Sequence, residues 1–304
     1  MSQILLFYKY VSISNPELEK KQHQIICKEL KLKGRLIIAS EGLNGTFEGS
    51  EQAIQKYAKW LRSISGCHDI HLKFSQGNGN SFPKLSIKTR SEIVSAHLGP
   101  KDLNPNEITG KHIHATQLHQ WINSNKEFYI VDMRNDYEHS VGHFTDSILP
   151  AFGNFRDLGK ILPQIEHLKD KTVVTVCTGG VRCEKASGFL VKSGFKEVYQ
   201  LFGGIVTYME QYPNQDFKGK LYVFDQRLTM GFNLTDPIHE IIGRCKLCNS
   251  FSESFVNCAF NKCHKHFICC KNCRQDSGKG YCDEQCVYND IYRVKSFSFG
   301  SVGR

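Results

Sequence analysis

The chain predicts a multidomain α/β protein with a metal-binding tail, and three observations carry that prediction. The first third alternates strands and helices in the order β-α-β-β-α-β. A second alternation follows, in which the β-branched run Val173–Val176 ends at Cys177 and a pair of glycines. Four close cysteine pairs then lie between Cys245 and Cys286. The 304 residues suffice for two or three domains at the usual ~100–200 residues each. A hydrophobic content of 40% supports packed cores and argues against disorder.

Residues 1–95 form the first unit. Ile4–Val11 reads as a strand. Asn15 caps and Pro16 opens a helix to about Leu32, which Gly34 stops. Arg35–Ala39 is a second strand, Glu41–Gly45 a turn, and Thr46–Gly49 a third strand. A helix over Glu51–Ile64 aligns Ala53, Tyr57, Trp60 and Leu61 on one face. Strands at His71–Phe74 and Leu85–Thr89 complete a ferredoxin-like α+β pattern. Such a sheet would present Phe7, Tyr8 and Tyr10 among Lys9, Lys73, Lys84, Lys88 and Arg90. Aromatic rings between cations are how single-stranded RNA is stacked and its phosphates contacted, although alternate aromatics also simply fill cores.

Residues 96–112, with Pro100, Pro105 and Gly110, read as a linker to a parallel α/β unit over 113–218. Its centre is Cys177-Thr178-Gly179-Gly180-Val181-Arg182. Strand, tight loop and helix place the thiol at the C-terminal end of a sheet strand, where open α/β folds carry their sites. The loop N–H groups, the helix N-terminus and Arg182 all favour thiolate, moving a cysteine from ~8.5 to roughly 3.5–7.5. A buried structural cysteine is the alternative. Cysteine phosphatases close such a loop as C-x5-R; here arginine stands at C-x4-R and suits a smaller group, such as a persulfide sulfur. The loop resembles that of the rhodanese superfamily, as do Asp132, Arg134 and Glu138, whose pattern there braces the loop base by ion pairs. Cys183 reads as a wall of the following helix or as a resolving thiol.

Residues 219–243 connect this unit to the tail. Tyr222–Arg227 is strand-like, and Arg227 is a possible extra cation for Cys177. In 244–290 the pairs Cys245/Cys248, Cys258/Cys263, Cys270/Cys273 and Cys282/Cys286 supply eight thiolates, enough for two tetrahedral zinc ions. Sequential and cross-braced pairings both satisfy the count, and the matching C-x2-C spacing of the first and third pairs favours cross-bracing. His264, His266 and Cys269 are spare, and a histidine could replace one cysteine. With every ligand position filled, the metals read as structural. Residues 291–304 read as a C-terminal tail.

Charge is unevenly spread. Residues 1–110 carry 15 Lys/Arg against 10 Asp/Glu, 111–218 carry 12 against 12, and 244–304 carry 10 against 5. Two zinc ions, each held by four thiolates, would bring the tail from +5 to about +1. Most positive charge then lies in the first unit, the expected grip on a polyanion. No run of ~18 apolar residues occurs, and the N-terminus lacks the charged start of a signal peptide. The expected location is the cytoplasm, where cysteines serve as ligands or catalysts rather than disulfides.

Taken together, Phe7–Tyr10, Glu41–Gly45, Asp132–Arg134, Cys177–Ser187, Val223–Asp225 and the cysteine tail resemble the bacterial rhodanese-like tRNA wobble-uridine hydroxylases. The resemblance implies oxygen-dependent conversion of the wobble uridine to 5-hydroxyuridine, with Cys177 required and tRNA as partner. No flavin- or nicotinamide-binding loop and no 2-His-1-carboxylate set is present in the sequence. Two routes are open: addition of the thiolate to C6 of the pyrimidine, or an oxygen adduct carried on Cys177. A sulfurtransferase working through a Cys177 persulfide is the alternative function, and a zinc-based interaction protein a third.

Overall fold

A computed structural model describes residues 1–276 and 280–292; the expected tail is outside it from residue 293 onward. The first unit comprises β1 (Ser2–Tyr10), α1 (Pro16–Glu29), β2 (Lys33–Ala39), β3 (Gly42–Ser50), α2 (Glu51–Ser63), β4 (Leu72–Gln76) and β5 (Leu85–Thr89). Its sheet runs β4-β1-β3-β2-β5, antiparallel except where β5 joins β2 in parallel. The ferredoxin-like pattern is therefore present with one added edge strand. Asn15 and Ser50 cap the two helices through their side chains, as their positions predict.

The helices cover one face of this sheet. Phe7 is fully buried there between Phe47 and Tyr57. Alternation along β1 sends Leu6, Tyr8 and Tyr10 to the opposite face, which lies against the second unit rather than solvent. That corrects the expected stacking platform, because one ring fills the core and the other two fill a domain interface. The four expected phosphate contacts also separate. Lys84, Lys88 and Arg90 are exposed on or next to β5, whereas Lys73 is 7% exposed on β4, at the other edge of the sheet.

The second unit contains β6 (Lys111–Ile113), α3 (Ala115–Ile122), β7 (Tyr129–Asp132), α4 (Asp136–His139), β8 (Gly142–Phe144), α5 (Leu162–Ile165), β9 (Thr172–Val176), α6 (Val181–Lys192), β10 (Glu197–Leu201) and α7 (Gly204–Gln211). Strands β6-β10-β9-β7 form a parallel sheet. The segment expected to be a linker is packed: Ala96 and Leu103 are buried against the α6 side of this core.

β11 (Phe217–Gly219) pairs with β8, and β12 (Leu221–Tyr222) with β13 (Thr229–Met230). The expected strand over Tyr222–Arg227 is thus mostly a turn, held where the Val223 N–H donates to the Leu228 carbonyl at 2.9 Å. In the tail, β14 (Phe255–Asn257) pairs with β15 (His266–Ile268), followed by α8 (Lys271–Asp276) and α9 (Glu284–Tyr292). Val141, Tyr222, Phe255 and Ile268 pack together and dock the tail on the second unit.

One buried ammonium joins the first two units. Lys185 on α6 has a fully buried side chain, with Nζ 3.0 Å from Glu41, 3.0 Å from Glu92 and 3.2 Å from Asp102. Removing the partner of a buried charge leaves the rest uncompensated, at a cost of about 3–5 kcal/mol. Lys185→Met should therefore lower unfolding stability in denaturant titration by about that amount. A loss below about 1 kcal/mol would place these groups in the range of weak surface pairs.

Candidate active site and metal centres

The β-branched residues of β9 carry the chain through the middle of the parallel sheet to Cys177. Gly180 stands at φ +101°, a left-handed conformation that suits glycine, and turns the chain into α6. The turn brings the Gly180 N–H to 3.2 Å from the Cys177 Sγ. α7 supports the loop from below: Ile205 N–H donates to the Cys177 carbonyl and Val206 N–H to the Thr178 carbonyl. Gly204 is required for this approach, since a Cβ there would stand 2.6 Å from the Gly179 backbone.

The Cys177 side chain is fully buried. Burial pushes its pKa up; the Cys183 thiol donating to its sulfur, the Arg182 charge and the N–H groups of Cys183 and Gly180 outweigh that and bring it to about 6. Cys183 moves the opposite way, through burial and its role as donor. Cys183 is buried in the α6 wall, and its thiol also contacts the Cys177 sulfur.

Two buried ion pairs stand at the base of the loop. Arg182 directs both terminal nitrogens at the Glu138 carboxylate, at 2.5 and 2.8 Å, and reaches Thr178 Oγ1 at 3.2 Å. Arg134 grips Asp132 through Nε and Nη2 and donates to the Gly142 carbonyl at 2.7 Å. Asp132, Arg134, Glu138 and Arg182 thus meet beneath residues 177–182, while Val181 opens α6. Arg227 is elsewhere: Asp225 holds it, and it reaches Ser75 and the Gln76 carbonyl of the first unit.

The upper side of the loop is covered by β1. A Cβ at Gly179 would meet Leu6 at 3.0 Å, and one at Gly180 would meet the Tyr8 hydroxyl at 2.8 Å. Tyr8 donates to Glu184 at 3.1 Å, and Tyr10 to the Val181 carbonyl at 3.4 Å. Glu184 also receives His112, Thr109 and Gln200. Sequence reasoning missed this lid. The available signal was the unbroken apolar run of β1, which marks a strand covered on both faces rather than one.

Beside Thr178 a cavity of about 80 Å³ opens between the first unit, the loop and the connector, with Lys73, Arg35, Arg227 and Phe224 in its wall.

The tail brings its cysteines into two groups, Cys245/Cys248/Cys270/Cys273 and Cys258/Cys263/Cys282/Cys286, with the sulfurs of each group within 4.8 Å of one another. The grouping is cross-braced. A tetrahedron with Zn–S of ~2.3 Å requires S···S of about 3.8 Å; Cys248–Cys270 at 3.6 Å and Cys263–Cys282 at 3.5 Å come close to it. His266 is engaged by the Tyr222 hydroxyl at 2.6 Å and stands outside both groups, as does Cys269. The clusters can hold two metal ions. Elemental analysis of the purified chain should find about two zinc ions per molecule, Cys258→Ser should leave one, and a strong chelator should unfold the tail. Full metal content in the Cys258→Ser protein would contradict this ligand set.

Comparison with known proteins accords with this architecture. Family models match the UPF0176 acylphosphatase-like domain over residues 2–93, the rhodanese-like domain over 114–211 and the rhodanase C-terminal domain over 218–287. A tRNA uridine(34) hydroxylase of Cytophaga hutchinsonii is 38% identical over 93% of this chain and 89% of its own. Proteins of the same name from Listeria welshimeri, 39% identical over 88% and 83%, and Acholeplasma laidlawii, 37% identical over 93% and 89%, are similar to it as well. With its acylphosphatase-like unit, its rhodanese loop and its cysteine-rich tail all in place, the chain belongs to the tRNA uridine(34) hydroxylase family.

Proposed function

We propose that this protein hydroxylates the wobble uridine of tRNA to 5-hydroxyuridine, with Cys177 as the reacting group and molecular oxygen as co-substrate. The observation that carries the reading is a fully buried cysteine held as thiolate by loop amides, Cys183 and Arg182, in a chain similar along most of its length to tRNA uridine(34) hydroxylases. One atom of oxygen enters the C5–H bond. The other leaves as water, with two electrons and two protons from a reductant. The thiolate supplies a nucleophile for C6 or a carrier for the oxygen, and the loop N–H groups stabilise negative charge beside it.

Arg182, Asp132, Arg134 and Glu138 hold the loop in shape and balance its charge. Thr178, Gly179, Gly180 and Val181 supply backbone. Zinc on the two cysteine groups serves the fold of the tail, since four thiolates leave no open position for chemistry. tRNA is drawn in by the excess positive charge of the first unit, in which Lys84, Lys88 and Arg90 are exposed. No helix among the described residues is long and apolar enough to cross a membrane, and a tRNA substrate supports a cytoplasmic location.

The test is mass analysis of tRNA nucleosides from a deletion strain carrying the wild-type or Cys177→Ser gene, grown under isotopically heavy oxygen. Wild type should restore 5-hydroxyuridine bearing the heavy atom. Cys177→Ser should restore none while the protein stays folded. A missing thiolated nucleoside in the deletion strain, with hydroxylation intact, would instead establish the sulfurtransferase.

A further inference from the structure

The cations around the reactive loop are almost all neutralised. Arg182 is paired with Glu138, Lys185 with three carboxylates, and Arg227 with Asp225. Of the two cations in the cavity wall without an ion pair, Arg35 is exposed, whereas Lys73 is 7% exposed and its Nζ finds no hydrogen-bond partner among the described residues. A desolvated ammonium without an acceptor is costly, so its retention calls for a ligand that supplies one.

Register fixes where this ammonium is directed. Lys73 lies opposite Leu6, the residue that covers Gly179, so both lie on the face of the sheet turned toward the loop. The side chain passes over the Tyr8 ring, with Nζ 5.0 Å from its centroid, and enters the wall of the cavity beside Thr178. Phe74, Phe82 and Phe224 make other walls of that cavity. Its make-up, apolar and aromatic surface with a few convergent polar groups, is that of small-molecule sites. Arg35 and Arg227 also line it, Arg227 paired with Asp225, and the mostly apolar and aromatic lining suits a planar, uncharged ring with carbonyl oxygens. Cys177 and Glu184 are the anionic groups that act on the Lys73 charge; Glu184 is already engaged by Tyr8, His112, Thr109 and Gln200, and Asp225 in the cavity wall by Arg227.

Building on the hydroxylase reading, we propose that the cavity receives the uracil ring turned out of the anticodon loop, and that Lys73 is a catalytic residue donating to a ring carbonyl oxygen. Chemistry at C5 makes that carbon electron-rich and spreads negative charge onto the neighbouring carbonyl. An ammonium placed there in a water-poor site stabilises the charge as it develops. Turning the base out is least costly where it is already single-stranded, as in a loop. Burial draws the Lys73 pKa down to about 8, with Cys177 and Glu184 pulling it upward, so it still carries its proton at neutral pH.

The experiment compares wild type, Lys73→Met and Lys73→Gln as full zinc-loaded chains, measuring single-turnover hydroxylation, tRNA affinity against salt, and Tm. Loss of a preorganised charge-stabilising donor costs ~10²–10³ in rate. Both variants should show a loss of that size with unchanged tRNA Kd and salt slope. Tm should not fall, because Met keeps the apolar contact with the Tyr8 ring and removes a buried ammonium that has no hydrogen-bond partner. Unchanged turnover would overturn the proposal. So would weakened tRNA binding with a salt slope shallower by about 0.7–0.9, which marks a phosphate contact; the Gln variant decides the matter should Met fail to fold. A wild-type chain that forms no 5-hydroxyuridine would reject the hydroxylase reading and this proposal together. An active wild type with active Lys73 variants would reject Lys73 alone.

Discussion

The cost of burying a negative sulfur is the constraint on which the rest of this molecule depends. Cys177 sits out of water at the end of a central strand, and burial alone would keep its proton on. Every neighbouring element works against that tendency. Gly180 allows the turn that aims an N–H at the sulfur, Cys183 supplies a thiol donor from the first turn of α6, and Arg182 adds charge. Arg182 in turn requires Glu138, which lies beside the Asp132–Arg134 pair, so the field of one thiolate organises a chain of buried ions.

The same constraint explains why the first unit is attached as it is. β1 lies across the loop, and Tyr8 and Tyr10 bond to α6. Lys185 fixes that arrangement from behind by gathering carboxylates from both sides of the interface. The reaction centre is consequently a property of two units together. The unit with the excess positive charge is also the lid over the loop.

Much of this was legible in the sequence, for definite reasons. Strand, Cys177, two glycines and a helix start follow one another within a few residues, so local geometry alone fixes the loop. The cysteine spacings set which ligands can meet, and matched C-x2-C knuckles pointed to the cross-braced grouping that the sulfurs adopt. What was not legible depended on how separate units pack. Phe7, Tyr8 and Tyr10 look alike as a run, and only the second layer decides that none of them is free to stack on RNA. Lys73 was grouped with Lys84, Lys88 and Arg90 because all lie on or next to neighbouring strands in sequence. The strand order β4-β1-β3-β2-β5 puts them at opposite edges, and the interface buries one of the four.

The buried thiolate itself is open to direct measurement. Thiolate ultraviolet absorbance can be followed against pH in the zinc-loaded chain, and the same titration of Cys177→Ser subtracted to isolate one sulfur. The account predicts a midpoint at about 6, so that Cys177 is already ionised at neutral pH. A midpoint at ~8.5 or above, the ordinary range of a cysteine, would show that loop, Arg182 and Cys183 do not overcome burial and would contradict it.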